Sequence, residues 1–227
     1  QEFGSNTFTG FTPVGDRTIF AAENSEQGRE LWVTDGTIAG TSLLNDIRPG
    51  ADDALPLFFS ATTLGDKAYF AATTEEHGSE LWVSDGTAEG TQLFVELNAG
   101  PASAVPTDLV ADETHLYFTA YSDDTGFEIF STEGTEESTK VFADVLPGVA
   151  SSNPNHIQIL DGRLYYLAST QSEGVQVWSS PLERVVSAAP ERLEANHYVY
   201  PVPAGDQLSF ISGLEIISQA VLINMQG

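Results

Sequence analysis

Gly28-Arg-Glu-Leu-Trp-Val-Thr-Asp-Gly-Thr-Ile-Ala-Gly-Thr41 is followed by a near copy, Gly78-Ser-Glu-Leu-Trp-Val-Ser-Asp-Gly-Thr-Ala-Glu-Gly-Thr91. A looser copy runs Gly126-Phe-Glu-Ile-Phe-Ser-Thr-Glu-Gly-Thr-Glu-Glu-Ser-Thr139, and a worn one reads Gly174-Val-Gln-Val-Trp-Ser-Ser180. The acidic slot falls at Glu30, Glu80, Glu128 and Gln176, at steps of 50, 48 and 48 residues. Self-similarity at such a period marks stacked supersecondary units, none of which can bury its apolar face alone.

The second copy shows the unit most clearly. Phe58 to Leu64 is an extended run, Gly65-Asp66 a turn, and Ala68-Tyr-Phe-Ala-Ala72 a second run. After the polar segment Thr73 to Gly78 come Glu80-Leu-Trp-Val83, the Asp85-to-Gly90 turn and Thr91-Gln-Leu-Phe-Val-Glu-Leu97. Short β-branched or aromatic runs bounded by Gly, Asp and Pro read as strands joined by hairpins. No window sustains a helical period between proper caps. Side chains alternate along a strand, so Glu30 and Trp32 share one face and Leu31 and Val33 the other. Both faces are apolar, as a sheet flanked on both sides requires. The pairs Ala21-Ala22 and Ala71-Ala72 leave room for a neighbouring sheet to approach.

A second-strand aromatic recurs at Phe20, Phe70, Phe118, Tyr166 and Phe210. The turn before it recurs as Gly15-Asp16, Gly65-Asp66, Asp112-Glu113, Asp161-Gly162 and Gly205-Asp206. Five units therefore begin, and the fifth is shortened: Leu208 to Ile211, Leu214 to Ile217 and Ala220 to Ile223, without the Asp-Gly-Thr turn. Between units stand Asp46-Ile-Arg-Pro-Gly50 with Pro56, Glu96-Leu-Asn-Ala-Gly100 with Pro106, and Asp144-Val-Leu-Pro-Gly148 with Pro154. Proline lacks a ladder N–H and glycine allows positive φ, so these are loops crossing from sheet to sheet. The expected fold is all-β, a single five-bladed β-propeller over residues 1–227 with four-stranded units of about 45–50 residues. The blades fall near 6–50, 51–100, 101–148, 149–195 and 196–227.

These residues resemble the "ELWxTDGTxxGT" repeat of large secreted or surface proteins of bacteria. The inter-unit Pro-Gly phrase and the Tyr-Phe-Ala-Ala strand belong to the same pattern. The likeness covers about residues 15–170 well. The third copy departs from it at Phe130 and Ser138, and the fourth replaces the turn with Ser179-Ser-Pro-Leu182. The resemblance implies an extracellular, propeller-like domain, usually part of something longer. It implies no substrate and brings no catalytic set.

Charge narrows the partners. Thirty-three Asp and Glu against 8 Lys and Arg give −25. That field repels nucleic-acid phosphates and anionic membrane surfaces, and it favours cations or basic proteins. No apolar run reaches the about 18 residues of a membrane span. There is no cysteine, hence no disulfide, thiolate metal site or cysteine nucleophile. No signal peptide is visible, so the chain reads as a mature protein or an excised domain. Gln1 to Ser5 reads as either a cloning remnant or a mature end.

Asp35 and Asp85 are the metal candidates, with Ca²⁺ the ion their hard oxygens would suit. The preferred reading is an Asx turn whose carboxylate accepts the N–H two residues on. Glu30, Glu80, Glu128 and Gln176 would form a circle of acceptors. The preferred role is a buried carboxylate bonded to nearby backbone, since buried charge must find partners. His77, His115, His156 and His197 share no repeat position and no metal spacing, and there is no nucleophile elbow or phosphate loop.

Strands alternate in direction, so the loops between second and third strands emerge at the same end as the inter-unit loops. The former carry Glu23, Glu26, Glu75, Glu76, His77, Asp123, Asp124 and Glu173; the latter carry Arg48, Asp52 and Asp53. This acidic, variable end is the candidate binding surface, and solvated solubilising charge is the competing explanation. The function read from the chain is a non-catalytic extracellular or cell-surface recognition or scaffold module. Its partner would be a glycan or a protein, with no cofactor unless Ca²⁺ binds. One alternative is a self-assembling subunit or decoration of a filament or surface layer, because the short fifth unit leaves an edge to complete. Another is an enzyme acting on polysaccharide with acids from several blades.

Overall fold

The structure is a computed structural model. It describes residues 8–57, 59–170, 172 and 174–182 with their side chains, and the backbone of strands within 191–221. Each repeat folds into an antiparallel meander whose strands pair in sequence order. The first unit comprises β1 (Phe8–Val14), β2 (Arg17–Asn24), β3 (Gly28–Thr34) and β4 (Ser42–Asn45). The second has β5 (Ala61–Leu64), β6 (Lys67–Thr74), β7 (Gly78–Ser84) and β8 (Gln92–Val95). The third has β9 (Thr107–Ala111), β10 (Leu116–Ser122), β11 (Gly126–Thr132) and β12 (Lys140–Ala143). The fourth has β13 (Asn155–Leu160), β14 (Arg163–Thr170), β15 (Gly174–Pro181) and β16 (Glu191–Arg192). A three-stranded sheet follows, β17 (His197–Pro201), β18 (Gln207–Ser212) and β19 (Glu215–Val221). Among the described residues the one helical element is a 3-10 turn at Glu136–Ser138.

Three details differ from the sequence expectation. The run expected from Phe58 pairs only from Ala61, because the chain is still crossing between units; Phe58 itself lies outside the described residues. Ser179 and Ser180 belong to β15 and are buried, with Ser180 Oγ 3.1 Å from the Tyr166 hydroxyl. The runs expected at 214–217 and 220–223 are joined in β19 across Glu215–Val221. Leu214, Leu222 and Ile223 lie outside the described residues.

Strand alternation decides how the units stack. Ile19, Ala21, Leu31 and Val33 of the first unit pack against Ala68, Phe70, Ala72 and Trp82 of the second. The other face of the second, with Tyr69, Leu81 and Val83, meets Leu116, Phe118, Ala120 and Phe130 of the third. The third in turn uses Tyr117 and Ile129 against Leu164, Tyr166, Ala168 and Trp178. Burying each such side chain contributes about 1.5–3 kcal/mol, so these faces carry most of the stacking energy. Ala21, Ala22 and Ala72 sit at full burial between larger residues, as their close-approach role requires, whereas Ala71 is half-buried.

First strands of successive units are stitched together. Thr12 Oγ1 donates to the Ala61 carbonyl at 3.3 Å, and Thr62 Oγ1 donates to the Leu109 carbonyl at 2.8 Å. Valine occupies this slot in the third unit, and there the Asp108 carboxylate accepts the His156 N–H at 3.2 Å. The pairing of the first strand with the second slips at this level in units one, three and four. The residues at the slip, Gly10, Asp108 and His156, have φ of 67°, 52° and 54°. Such positive φ at a bulge suits Gly, and Asp and His tolerate it better than most.

The Asp-Gly-Thr turn is a closed hydrogen-bond unit. Asp85 Oδ1 accepts the Thr87 N–H at 2.9 Å and its hydroxyl at 2.6 Å, Thr87 Oγ1 accepts the Gly90 N–H, and Thr91 Oγ1 donates to the Thr87 carbonyl. Asp35, Thr37, Gly40 and Thr41 repeat it. A Cβ on Gly40 or Gly90 would lie 2.0 or 2.1 Å from the carboxylate oxygen of Asp35 or Asp85. In the third unit Glu133 and Ser138 replace the Asp and this Gly. Ser138 Oγ there accepts the N–H of Thr135, the bond that Asp makes elsewhere, and also that of Glu133. The two substitutions compensate each other. G90S alone is expected to cost about 1–3 kcal/mol by overpacking, and D85E/G90S to recover about 1 kcal/mol or more as coupling between neighbours. Urea unfolding of the single and double variants checks this; additive costs would dissociate the two positions.

Candidate functional site

The loop-bearing end is organised by the repeated glutamate. In β3 the side chain of Glu30 turns under the crossing loop, where its two oxygens accept the N–H groups of Ile47 and Arg48 at 2.8 and 3.1 Å. Glu80 accepts those of Leu97 and Asn98 at 3.1 and 3.4 Å. Glu128 accepts from Val145 N and Ser152 N at 3.2 and 2.7 Å and from the Ser152 hydroxyl at 2.6 Å. All three are fully buried. Burial pushes each carboxyl up from 4.5 to about 7 against the pull of the donated N–H groups, and Asp46, Glu96 and Asp144 push the same way. A carboxyl near 7 has the proton affinity of a general acid. These three are sealed behind backbone, however, and cannot touch a substrate.

A second clamp, which the sequence reading missed, holds the same loops. Asp53 Oδ1, Ser103 Oγ and Ser151 Oγ accept the N–H groups of Arg29, Ser79 and Phe127 at 2.7, 3.0 and 2.9 Å. The next residue bridges two units. Ala54 N–H donates to the Arg29 carbonyl while the Ala54 carbonyl accepts from Thr73 N, and Ala104 does the same between Ser79 and Tyr121. Ser152 bonds Glu128 on one side and Ser169 on the other. The signal was the small pair Asp53-Ala54, Ser103-Ala104, Ser151-Ser152. It recurs at a fixed offset but carries no consensus letter.

The second-to-third-strand loops and the crossing loops do share one end. Arg48 reaches Asp52 at 3.1 Å and Glu75 of the neighbouring unit at 3.9 Å. Arg29, only 8% exposed, lies between the carboxylates of Glu23 and Asp53. Five of the eleven candidate residues thus fall in two ion clusters, Glu23–Arg29–Asp53 and Asp52–Arg48–Glu75, where the first two units meet. His77 Nδ1 lies 3.0 Å from Glu96, and its Nε2 lies 3.8 Å from Glu76. The hydrogen bond to Glu96 raises the His77 pKa and lowers that of Glu96. Glu26, Asp123 and Asp124 are exposed on their turns. Glu173 lies outside the described residues. An apolar cleft opens beside Asp53, between Ala54-Leu55-Pro56 and Val105-Pro106-Thr107, with Ala71 at its base.

Asp35 and Asp85 sit in the turns between third and fourth strands, where bonds to Thr37 and Thr87 lower their pKa values. Among the described residues no three His, Asp or Glu side chains converge as metal ligands.

No family model and no curated protein matches the chain. The crystal structure of TolB from Acinetobacter baumannii superposes with a TM-score of 0.50 at 11% identity, over 87% of this chain and 49% of its own. A structure from an analysis of two prolyl endopeptidases superposes with a TM-score of 0.54 at 12% identity, over 90% of this chain and 31% of its own. This chain therefore spans about half the length of the first and about a third of the second. Both are propeller-type folds. At these identities the likeness concerns fold alone, and it makes this an all-β protein of β-propeller type.

The raised glutamates set a pH dependence. Each folded pKa of about 7 lies above the ordinary 4.5, so the stabilisation is complete below about 4.5 and is lost as pH rises to about 7. The raised His77 acts in the same direction. The melting temperature should fall between pH 5 and pH 8. E80Q should cost about 1–3 kcal/mol at pH 5, because its amide leaves one buried N–H unmatched. The deficit should shrink by pH 8. An E80Q deficit independent of pH would mean that Glu80 is ionised throughout.

Proposed function

We propose that this chain is a five-bladed propeller of the "ELWxTDGTxxGT" repeat kind and a non-catalytic, extracellular or cell-surface recognition module. One observation supports it above others. The repeated polar residues are consumed by architecture, while residues that differ between units crowd the loop-bearing end. Glu30, Glu80 and Glu128 hold loops, and Asp35 and Asp85 close turns. What remains to meet a partner is the variable set around Glu26, His77, Asp123 and Asp124. In repeat proteins binding is carried by such differing positions on a repeated frame.

The apolar faces support the count of five. Phe20, Ala22, Trp32 and Leu43 form on the first unit the face that Phe70, Ala72, Trp82 and Leu93 form on the second. The second unit's face receives a preceding sheet, so the first needs one too. In this reading the sheet of β17, β18 and β19 supplies it and closes the ring. X-ray scattering should give a radius of gyration of about 17 Å, the value for a compact chain of this length. A clearly larger value would indicate an open stack.

A panel of neutral, acidic and amine-bearing glycans, with basic and acidic proteins at physiological salt, tests the recognition reading. Binding of one class without product release is the expected result. Product release would overturn the non-catalytic assignment, and an empty panel would leave a purely structural module.

A further inference from the structure

Equivalent positions on the loop-bearing end change character around the repeat. Where the first and second units meet, the cross-strand pair is Glu23 and Arg29, and the crossing loop presents Arg48. At the second-to-third junction the same slots hold Thr73 and Ser79, with Asn98 in the loop. At the third-to-fourth junction they hold Tyr121 and Phe127, with Leu146 in the loop and Val149 after it. The same frame is thus ionic at one junction, polar at the next and apolar at the third.

The apolar junction is open to solvent and held in shape. The rings of Tyr121 and Phe127 lie 5.4 Å apart at 56°, both half-buried. Leu146 is half-buried and Val149 is 75% exposed. The Phe127 N–H is anchored on Ser151 Oγ, which ties the crossing loop to the ring pair. The turn joining Tyr121 to Phe127 carries the exposed carboxylates of Asp123 and Asp124. Asn98, 4% exposed, fixes that turn from the side. Its amide donates to the Tyr121 carbonyl at 3.0 Å, and its oxygen accepts the Asp123 N–H at 3.1 Å. Little ordering cost would remain for a partner to bear here.

We propose that the Tyr121–Phe127–Leu146–Val149 patch, rimmed by Asp123 and Asp124, docks a basic protein segment that presents Arg or Lys beside apolar side chains. This deepens the recognition reading above and rests on it. Charge complementarity names the partner's sign, since two carboxylates flank the patch on a chain of net charge −25. An aromatic pair accepts a guanidinium or ammonium group over its face. An apolar centre with a charged rim is the anatomy of a protein interface.

The test is calorimetric titration of the full chain with a ten-residue peptide alternating Arg and Leu, beside a nona-arginine peptide, chitotriose-derived amine oligomers and cellohexaose. The alternating peptide should bind most tightly. F127S, which installs the serine that Ser79 already provides in the second unit, should weaken it about tenfold, the loss of one aromatic anchor. D123N/D124N should weaken it and flatten its salt dependence. E89Q, on a turn between third and fourth strands, should leave it unchanged, and thermal melts establish that every variant is folded. Equal loss in E89Q, or nona-arginine binding equally well, would reduce the effect to the bulk field and overturn the site. Preferred binding of either oligosaccharide, or self-association sensitive to F127S, would overturn the partner assignment. If the panel above yields a ligand indifferent to F127S and D123N/D124N, this docking site fails while the recognition module stands.

Discussion

A carboxyl group placed under backbone is the constraint on which the rest of the molecule depends. Each unit must send its chain from its last strand back to the first strand of the next, and that path passes over apolar sheet edges where backbone N–H groups have no ladder partner. Glu30, Glu80 and Glu128 satisfy them from within the third strand. An unpaired buried N–H costs about 1–3 kcal/mol, so without this acceptor the crossing loop would lift toward water and carry the register of the next sheet with it. The cost is a carboxyl so poorly solvated that its proton affinity rises to about 7. The fourth unit carries the neutral counterpart, Gln176, in the same slot.

With the crossing loops fixed, the units need only shape agreement to stack. Small alanines opposite large aromatics let sheets approach, and strand alternation sends each unit's Leu and Val forward and its Trp or Phe backward. The same logic explains how the copies drift without losing the fold. Asp with Gly and Glu with Ser are two solutions to one turn, because either the carboxylate or the serine hydroxyl accepts the same N–H. Thr62 and Asp108 are likewise two ways of tying neighbouring first strands.

Surface positions at the loop-bearing end are released from these duties, and there the junctions diverge into ionic, polar and apolar versions. The acidic field is therefore not uniform in effect. Around Arg29 and Arg48 it is partly neutralised by close pairing, and the solvent-facing Arg48 pairs contribute little stability on their own. Around Asp123 and Asp124 it stands beside apolar surface.

Period, strand order and the alternation of faces were legible in the residues, because each depends only on neighbours along the chain: Glu30 with Trp32 on one face, Leu31 with Val33 on the other, Asp85 turning back onto Thr87. The glutamate's burial was legible too, since a carboxylate between apolar strand residues has to find donors. Other features were hidden. That Asp53, Ser103 and Ser151 perform one task could not be read from letters of different type, because the shared property is an oxygen at one point in space. Nor could the sequence show that Glu23 and Asp53 converge on Arg29 from positions 6 and 24 residues away, or that Ser151 of the crossing loop anchors the strand that carries Phe127. Local chemistry determines a strand and its turn. Which side chains from separate strands and loops share a site is decided by how sheets stack, and stacking depends on all their faces at once.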